Sequence, residues 1–386
     1  MGRSSSGVSS LTEPGACCSM STRVRWSASS ACRGFGSKGW SVLAGVEIGM
    51  GREKGAARGP EGSIARSGGF AIGLSPRRVA RRFRGMAIPD EGVIDAHVHL
   101  YPPEVNADPV GWADRQGERL WREMVEERPD RRVRQGFVSV DRLLRDMDAA
   151  GVAHVILLGW YWERPETCEL QNRFYAQCVR AHPDRISAFA TVQASDGDRA
   201  VAEMRRARDA GLIGLGEMCP WAFGGRPTDE QWLPIFEQAV EMDWPVNLHV
   251  TDPASRAVPG RVETPLEDVL ALAETLPELR LILAHLGGGL AFLEPGYRVH
   301  RALKDAIYDT AAVPLLYRRS GWQAAIKAAG AERVAFGTDY PLMVFPRTQV
   351  EPGLTESVAL LREVCADAGV AGQVGGETIR RFLRRT

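Results

Sequence analysis

No stretch of the 386-residue chain comes near the run of about eighteen apolar residues that a membrane-spanning helix needs, so no such helix is expected. The nearest thing to a signal-peptide core, Ser41-Val42-Leu43-Ala44-Gly45-Val46, is cut off by Glu47 and lies far from the start, which argues against secretion. The seven cysteines contain no C-x-x-C pair and no regular spacing, so neither a disulfide framework nor a zinc ribbon is expected. Free thiols in a reducing, cytoplasmic setting follow. Aspartate is missing from residues 1–86, which carry fourteen Arg or Lys against four Glu, while the whole chain has a formal net charge of zero. The first 86 residues are thus near +10 and the remainder near −10, a sign with no general affinity for a nucleic acid backbone.

Residues 1–86 are rich in Gly, Ser and Arg, and neither period 2 nor period 3.6 persists in them. Such a segment cannot bury enough apolar surface to offset its conformational entropy, and a disordered basic leader is expected. An organelle transit segment has the same composition. An over-extended gene start is a third reading, since Met86 stands just before the first strand. The folded domain is then 87–386, and with 44% hydrophobic residues overall the chain has ample material for a core.

From Glu91 onward short apolar runs alternate with amphipathic segments, the pattern of parallel βα units. Strands are expected at 93–98, 153–159, 186–192, 212–216, 245–249, 281–285, 306–309 and 333–338. Helices are expected near 139–150, 166–182, 196–210, 229–243, 265–276 and 319–329, with Gly151 and Gly211 as natural stops. Eight strands in about 300 residues make a (β/α)8 TIM barrel, whose chemistry gathers at the C-terminal strand ends. A long insertion from Tyr101 to about Val138, carrying Trp112 and Trp121, should hang over that mouth.

Two histidines one residue apart, His97 and His99, close the first strand and should share a face. His249 and His285 end two later apolar runs, and Asp339 follows the last. A borderline-soft divalent ion takes imidazole nitrogen and carboxylate oxygen and leaves a position open for water, which His97, His99, His249 and Asp339 satisfy. One ion per chain is expected, zinc first, with Mn2+, Fe2+ or Co2+ as alternatives.

The stretches Ile94-Asp95-Ala96-His97-Val98-His99, His182-Pro183-Asp184-Arg185, Leu248-His249, Leu283-Ala284-His285-Leu286-Gly287-Gly288-Gly289, Tyr308-Asp309-Thr310-Ala311-Ala312 and Phe336-Gly337-Thr338-Asp339-Tyr340-Pro341 resemble the amidohydrolase superfamily. The resemblance is to its amidohydrolase-related branch, which includes proteins of the aminocarboxymuconate-semialdehyde decarboxylase type. It implies metal ligation by His97, His99, His249 and Asp339, and an outer acid/base or substrate-orienting role for His285. Binuclear members of the superfamily bridge two metals with a carboxylated lysine. That bridge is excluded here, since only Lys304 and Lys327 follow residue 86 and both lie in helical regions. Glu217, at the end of the fourth strand, either ligates a second ion, faces the substrate as a base, or hydrogen-bonds a metal-binding histidine. A single ion is the default.

Other features are weaker. Trp160-Tyr161-Trp162-Glu163-Arg164 could wall a pocket for a planar anion or pack against the insertion. Cys219 reads as a buried thiol, and His154, His182 and His300 as structural. Tyr308-Asp309 could bond a ligand or a loop. Gly287-Gly288-Gly289 lacks the companions of a phosphate loop and reads as backbone passing close to the site.

The leading expectation is hydrolysis of a small amide, lactone or cyclic ester by a metal-activated water, with Asp339 taking its proton and His285 stabilising the oxyanion. The alternatives are non-oxidative decarboxylation of an aromatic or unsaturated acid, and a non-catalytic metal-binding barrel. A decarboxylase would be marked by an arginine near the metal, for which Arg164, Arg173 and Arg298 are the candidates. The expected partner is a small-molecule substrate, without nucleic acid or membrane, and a homodimer is compatible with the sequence.

Overall fold

The structure, a computed structural model, describes residues 89–128, 133–258, 260–366 and 370–384. The expectation of a disordered leader over 1–86 lies outside them. The described residues form a (β/α)8 barrel of parallel strands: β1 (Val93–Val98), β2 (Val152–Leu157), β3 (Ile186–Ala188), β4 (Leu215–Met218), β5 (Val246–Leu248), β6 (Leu281–Leu283), β7 (Ile307–Asp309) and β8 (Val334–Ala335). Strands β1 to β3 pair in one sheet and β4 to β8 in another. Backbone hydrogen bonds join the two sheets on both sides. Ala190 N–H donates to Gly214 O at 2.8 Å and Gly216 N–H to Ala190 O at 2.8 Å, while Ala96 N–H donates to Phe336 O at 2.8 Å and Asp339 N–H to His97 O at 2.9 Å.

Several strands are shorter than the apolar runs suggest, because the chain leaves the ladder where it turns to present a site residue. His285 (φ 58°) takes left-handed backbone, which ends pairing just beyond β6, and Asp339 (φ 69°) takes it where the chain past β8 runs alongside β1. Capping residues bound the helix that follows the insertion. The helix Val140–Ala150 starts at Ser139, whose hydroxyl accepts the Arg142 N–H, and ends at Gly151 with φ 73°.

Alternation sorts the strand side chains. Val155, Leu157, Leu281, Leu283 and Val334 pack in the layer between strands and helices. Ile156, Leu158, Ile282, Ile307 and Ala335 point the other way, into the barrel, where Phe382 and Leu383 of the helix Thr378–Arg384 join them. Strict alternation in β1 would place His97 opposite the inward-facing Ile94 and Ala96. The ladder instead slips between Asp95 and Val98, and this bulge turns His97 inward as well. A second slip between Leu215 and Met218 accompanies Glu217 in β4.

The insertion after β1 forms three short helices, Pro103–Ala107, Pro109–Gln116 and Arg119–Val125. Trp112 and Trp121 bury themselves against Trp160, Tyr161 and Trp162 in a separate aromatic cluster. Two carboxylates fasten it: Glu118 accepts the Glu163 N–H at 2.7 Å and the Arg164 N–H at 3.1 Å, and Glu163 accepts the Leu120 N–H at 2.9 Å.

Gly337, just past β8, sits where a Cβ would come within 2.8 Å of the His97 Cβ. Gly337→Ala should therefore lower stability by about 1–3 kcal/mol through overpacking and displace His97, reducing metal retention while the far-ultraviolet circular dichroism stays unchanged. Wild-type melting and metal content in this variant would contradict the packing described.

Candidate metal centre

Two groups of three donors face each other at the C-terminal ends of the strands, His97, His99 and Asp339 in one and Glu217, His249 and His285 in the other. Within each group the ligand atoms lie within 4.8 Å of one another. The Nε2 atoms of His97 and His99 approach to 3.1 Å, and Asp339 Oδ1 lies 3.3 Å from His99 Nε2. Glu217 stands between the groups. Its Oε1 is 2.8 Å from His249 Nδ1 and 3.3 Å from His285 Nε2, and its Oε2 is 3.8 Å from His99 Nε2.

Three imidazoles are fixed from behind. His97 Nδ1 donates to Asp309 Oδ2 at 2.8 Å, His99 Nδ1 to Leu158 O at 2.9 Å and His285 Nδ1 to Ala311 O at 2.9 Å. In the neutral tautomer each leaves an Nε2 lone pair turned inward. His249 is the exception, with Nδ1 toward Glu217 and Nε2 3.0 Å from Thr251 Oγ1. The expected ligand set is thus only partly assembled: His97, His99 and Asp339 meet, while His249 pairs with Glu217. Glu217 is hydrogen-bonded to His249 and is also one of the three donors of the second group.

Charge explains why these donors suit a cation. Burial alone would push the His97 pKa down, but the Asp309, Glu217 and Asp339 carboxylates outweigh it and raise it to about 10. Burial also opposes charging of His285, and the Glu217 hydrogen bond and charge take it up to about 9. Burial raises Asp339, yet its hydrogen bond to His99 and the charges of His97 and His285 bring it down to about 2. Glu217 and Asp309 are likewise held below the usual carboxylate range, against burial, by histidine charge. Buried carboxylates around lone-pair nitrogens fit a divalent ion of the His/carboxylate class.

Sequence reasoning left Asp309 unassigned and did not single out Asn247 or Asp95. Asp309 is the residue behind His97, and Asn247 Nδ2 donates to its Oδ2 at 3.0 Å. Asp95 accepts the Thr338 hydroxyl at 2.6 Å, tying β1 to the segment that carries Asp339. An acid ending β7 and a polar residue two before His249 were the available signals. Tyr161 does reach the site, its ring 5.5 Å from that of His249. Cys219 is a buried thiol, and burial pushes its pKa up. His154 is structural, with Nδ1 3.1 Å from Asp184 O and Nε2 2.9 Å from Ser187 Oγ. His300 faces solvent beside Glu294.

None of the three candidate arginines joins this centre. Arg164 pairs with Glu166, Arg173 with Glu169, and Arg298 with Glu267 and Glu274, all with exposed side chains. No helix among the described residues is long and apolar enough to cross a membrane.

A family model described as amidohydrolase matches residues 94–385. The chain belongs to the amidohydrolase family. Gamma-resorcylate decarboxylase of Rhizobium radiobacter is 25% identical to this amidohydrolase-family chain over 300 residues, 65% of this chain and 88% of that protein. The structure of 5-carboxyvanillate decarboxylase from Sphingomonas paucimobilis matches with a TM-score of 0.57 at 18% identity, covering 76% of this chain and 99% of that one. Dihydroxybenzoic acid decarboxylase from Polaromonas sp. JS666, with bound manganese, matches with a TM-score of 0.55 at 19% identity, covering 77% and 98%. These findings correct the expectation of hydrolysis, because the relatives are decarboxylases. The metal in the Polaromonas structure is manganese, whereas zinc was the first expectation.

The shifts of His97 and His285 lie above the ordinary imidazole pKa of about 6.5, so their stabilising contribution is full below that pH and fades as pH rises through about 9 to 10. The lowered carboxylates contribute above about pH 4 and lose their contribution as pH falls toward 2. An ion held by His97, His99 and Asp339 would take the place of the His97 proton. The melting-temperature difference between manganese-loaded and chelator-stripped protein should widen from pH 6 to pH 9. A difference independent of pH would refute this electrostatic account.

Proposed function

We propose that this chain is a metal-dependent, non-oxidative decarboxylase of a hydroxylated aromatic carboxylic acid. The observation that carries the reading is the match over 300 residues to a gamma-resorcylate decarboxylase. The donor set and the aromatic surroundings support it. A divalent cation, manganese or zinc, would supply the charge that grips and polarises substrate oxygens. His97, His99 and Asp339 would hold it, with His249 completing the set on releasing Glu217. The ring of Tyr161, stacked on Trp160 at 4.0 Å and 5.5 Å from His249, offers a flat wall for a planar substrate.

The reaction needs a proton at the carbon that loses carbon dioxide. Asp339, with its pKa near 2, is a poor acid at neutral pH. His285, raised to about 9 and aimed by its Ala311 and Glu217 contacts, is the better one. Its Nε2 proton passes to the carboxylate-bearing ring carbon, the electron pair of the C–C bond returns to the ring, and carbon dioxide leaves. Solvent then restores the proton on His285. Glu217 keeps the imidazole charged until transfer.

Manganese-loaded protein incubated with 2,6-dihydroxybenzoate, 5-carboxyvanillate and a panel of lactones should release carbon dioxide from an aromatic acid and leave the lactones intact. His285→Asn should keep its metal and lose kcat by about 10²- to 10⁴-fold. Lactone turnover without decarboxylation would overturn the assignment, and loss of metal from His285→Asn would make His285 a ligand.

A further inference from the structure

Tyr101 lies two residues past His99, at the point where the chain leaves β1 for the insertion. Its ring is nearly parallel to the His99 imidazole, at 7° and 6.4 Å, and packs 4.5 Å from Trp121. The side chain is buried and its hydroxyl makes no hydrogen bond of normal geometry, with the Gln135 side chain beside it. Gln135, nearby, turns its amide N–H to Gly136 O at 3.0 Å. The indole N–H groups of Trp121, Trp160 and Trp162, in the same aromatic cluster, are also buried without partners. Phenylalanine would fill the Tyr101 space equally well, and an unpaired buried hydroxyl carries a desolvation cost that needs a reason. These orphaned groups can all donate, so they suit a flat ligand rich in acceptor oxygens.

We infer that the Tyr101 hydroxyl is a specificity-determining donor, hydrogen-bonded to a ring oxygen of the bound aromatic acid beside His99. The inference rests on the decarboxylase reading for its substrate class. It goes further in assigning discrimination between hydroxylated and unsubstituted acids to one residue of the insertion. The parallel ring 6.4 Å from that of His99 places the phenol beside this imidazole without making it a ligand. A ring that presents no oxygen leaves that hydroxyl unpaired, whereas a hydroxylated ring satisfies it.

The test is calorimetric binding of 2-hydroxybenzoate and benzoate to the manganese-loaded full chain and to Tyr101→Phe. Wild type should bind the hydroxylated acid about tenfold or more tightly. In Tyr101→Phe that gap should shrink to within about twofold, with metal content unchanged and the melting temperature equal or higher. A gap that persists in the variant overturns the inference, as does a variant that loses metal or melts early, since the hydroxyl would then be structural. The wild-type comparison needs no variant, and equal binding of the two acids also overturns it. Binding is read without turnover, so a gap seen in wild type and lost in Tyr101→Phe, in a protein that fails to decarboxylate, would sink the functional reading and leave the role of Tyr101 standing.

Discussion

Four hydrogen bonds converge on one buried carboxylate. Asp309 Oδ2 accepts from His97 Nδ1 at 2.8 Å and Asn247 Nδ2 at 3.0 Å, and its Oδ1 accepts the backbone N–H of His285 and of Ala311, both at 3.0 Å. A single side chain on β7 thereby fixes a ring from β1, an amide from β5 and the turn after β6. It selects the tautomer that turns the His97 Nε2 lone pair inward, and it holds the left-handed backbone of His285. Saturated with donors and buried, Asp309 stays ionised despite the desolvation that opposes it. Its charge is one of those that make the centre attractive to a cation.

The rest of the molecule positions and largely buries this arrangement. The bulge in β1 lets His97 and His99 face inward although the residues before them already do, and the small Gly337 gives His97 room. Above the centre, the reciprocal Glu118 and Glu163 contacts hold the insertion against the loop after β2, so Tyr101, Trp121, Trp160 and Tyr161 form one packed assembly. Scaffold and aromatic cluster are thus tied through a few charge-assisted hydrogen bonds.

Much of this was legible in the residues. Short apolar runs and glycine stops located all eight strands, because a barrel strand buried on both faces is continuously apolar. His97, His99, His285 and Asp339 announced themselves by ending those runs. The bulges were not legible, since a register slip is a property of two strands and leaves the one-dimensional pattern intact. Asp309 was visible as a residue but not as a role, because its partners come from three other strands or turns. The pairing of His249 with Glu217, and the outward pairing of Arg164, Arg173 and Arg298 with nearby carboxylates, likewise depend on three-dimensional neighbours. Hydrolysis and decarboxylation draw on the same ligands, so the donor set could not choose between them, and the proposal of decarboxylation rests on the relatives.

Dependence of the centre on Asp309 is most directly tested by the manganese affinity of Asp309→Asn, measured by chelator competition against wild type. Asparagine keeps the size of the side chain but removes the charge and the acceptor that fixes His97. Affinity should fall about 10- to 100-fold in a protein that retains its barrel by circular dichroism. Unchanged affinity would contradict the claim that this carboxylate organises the site.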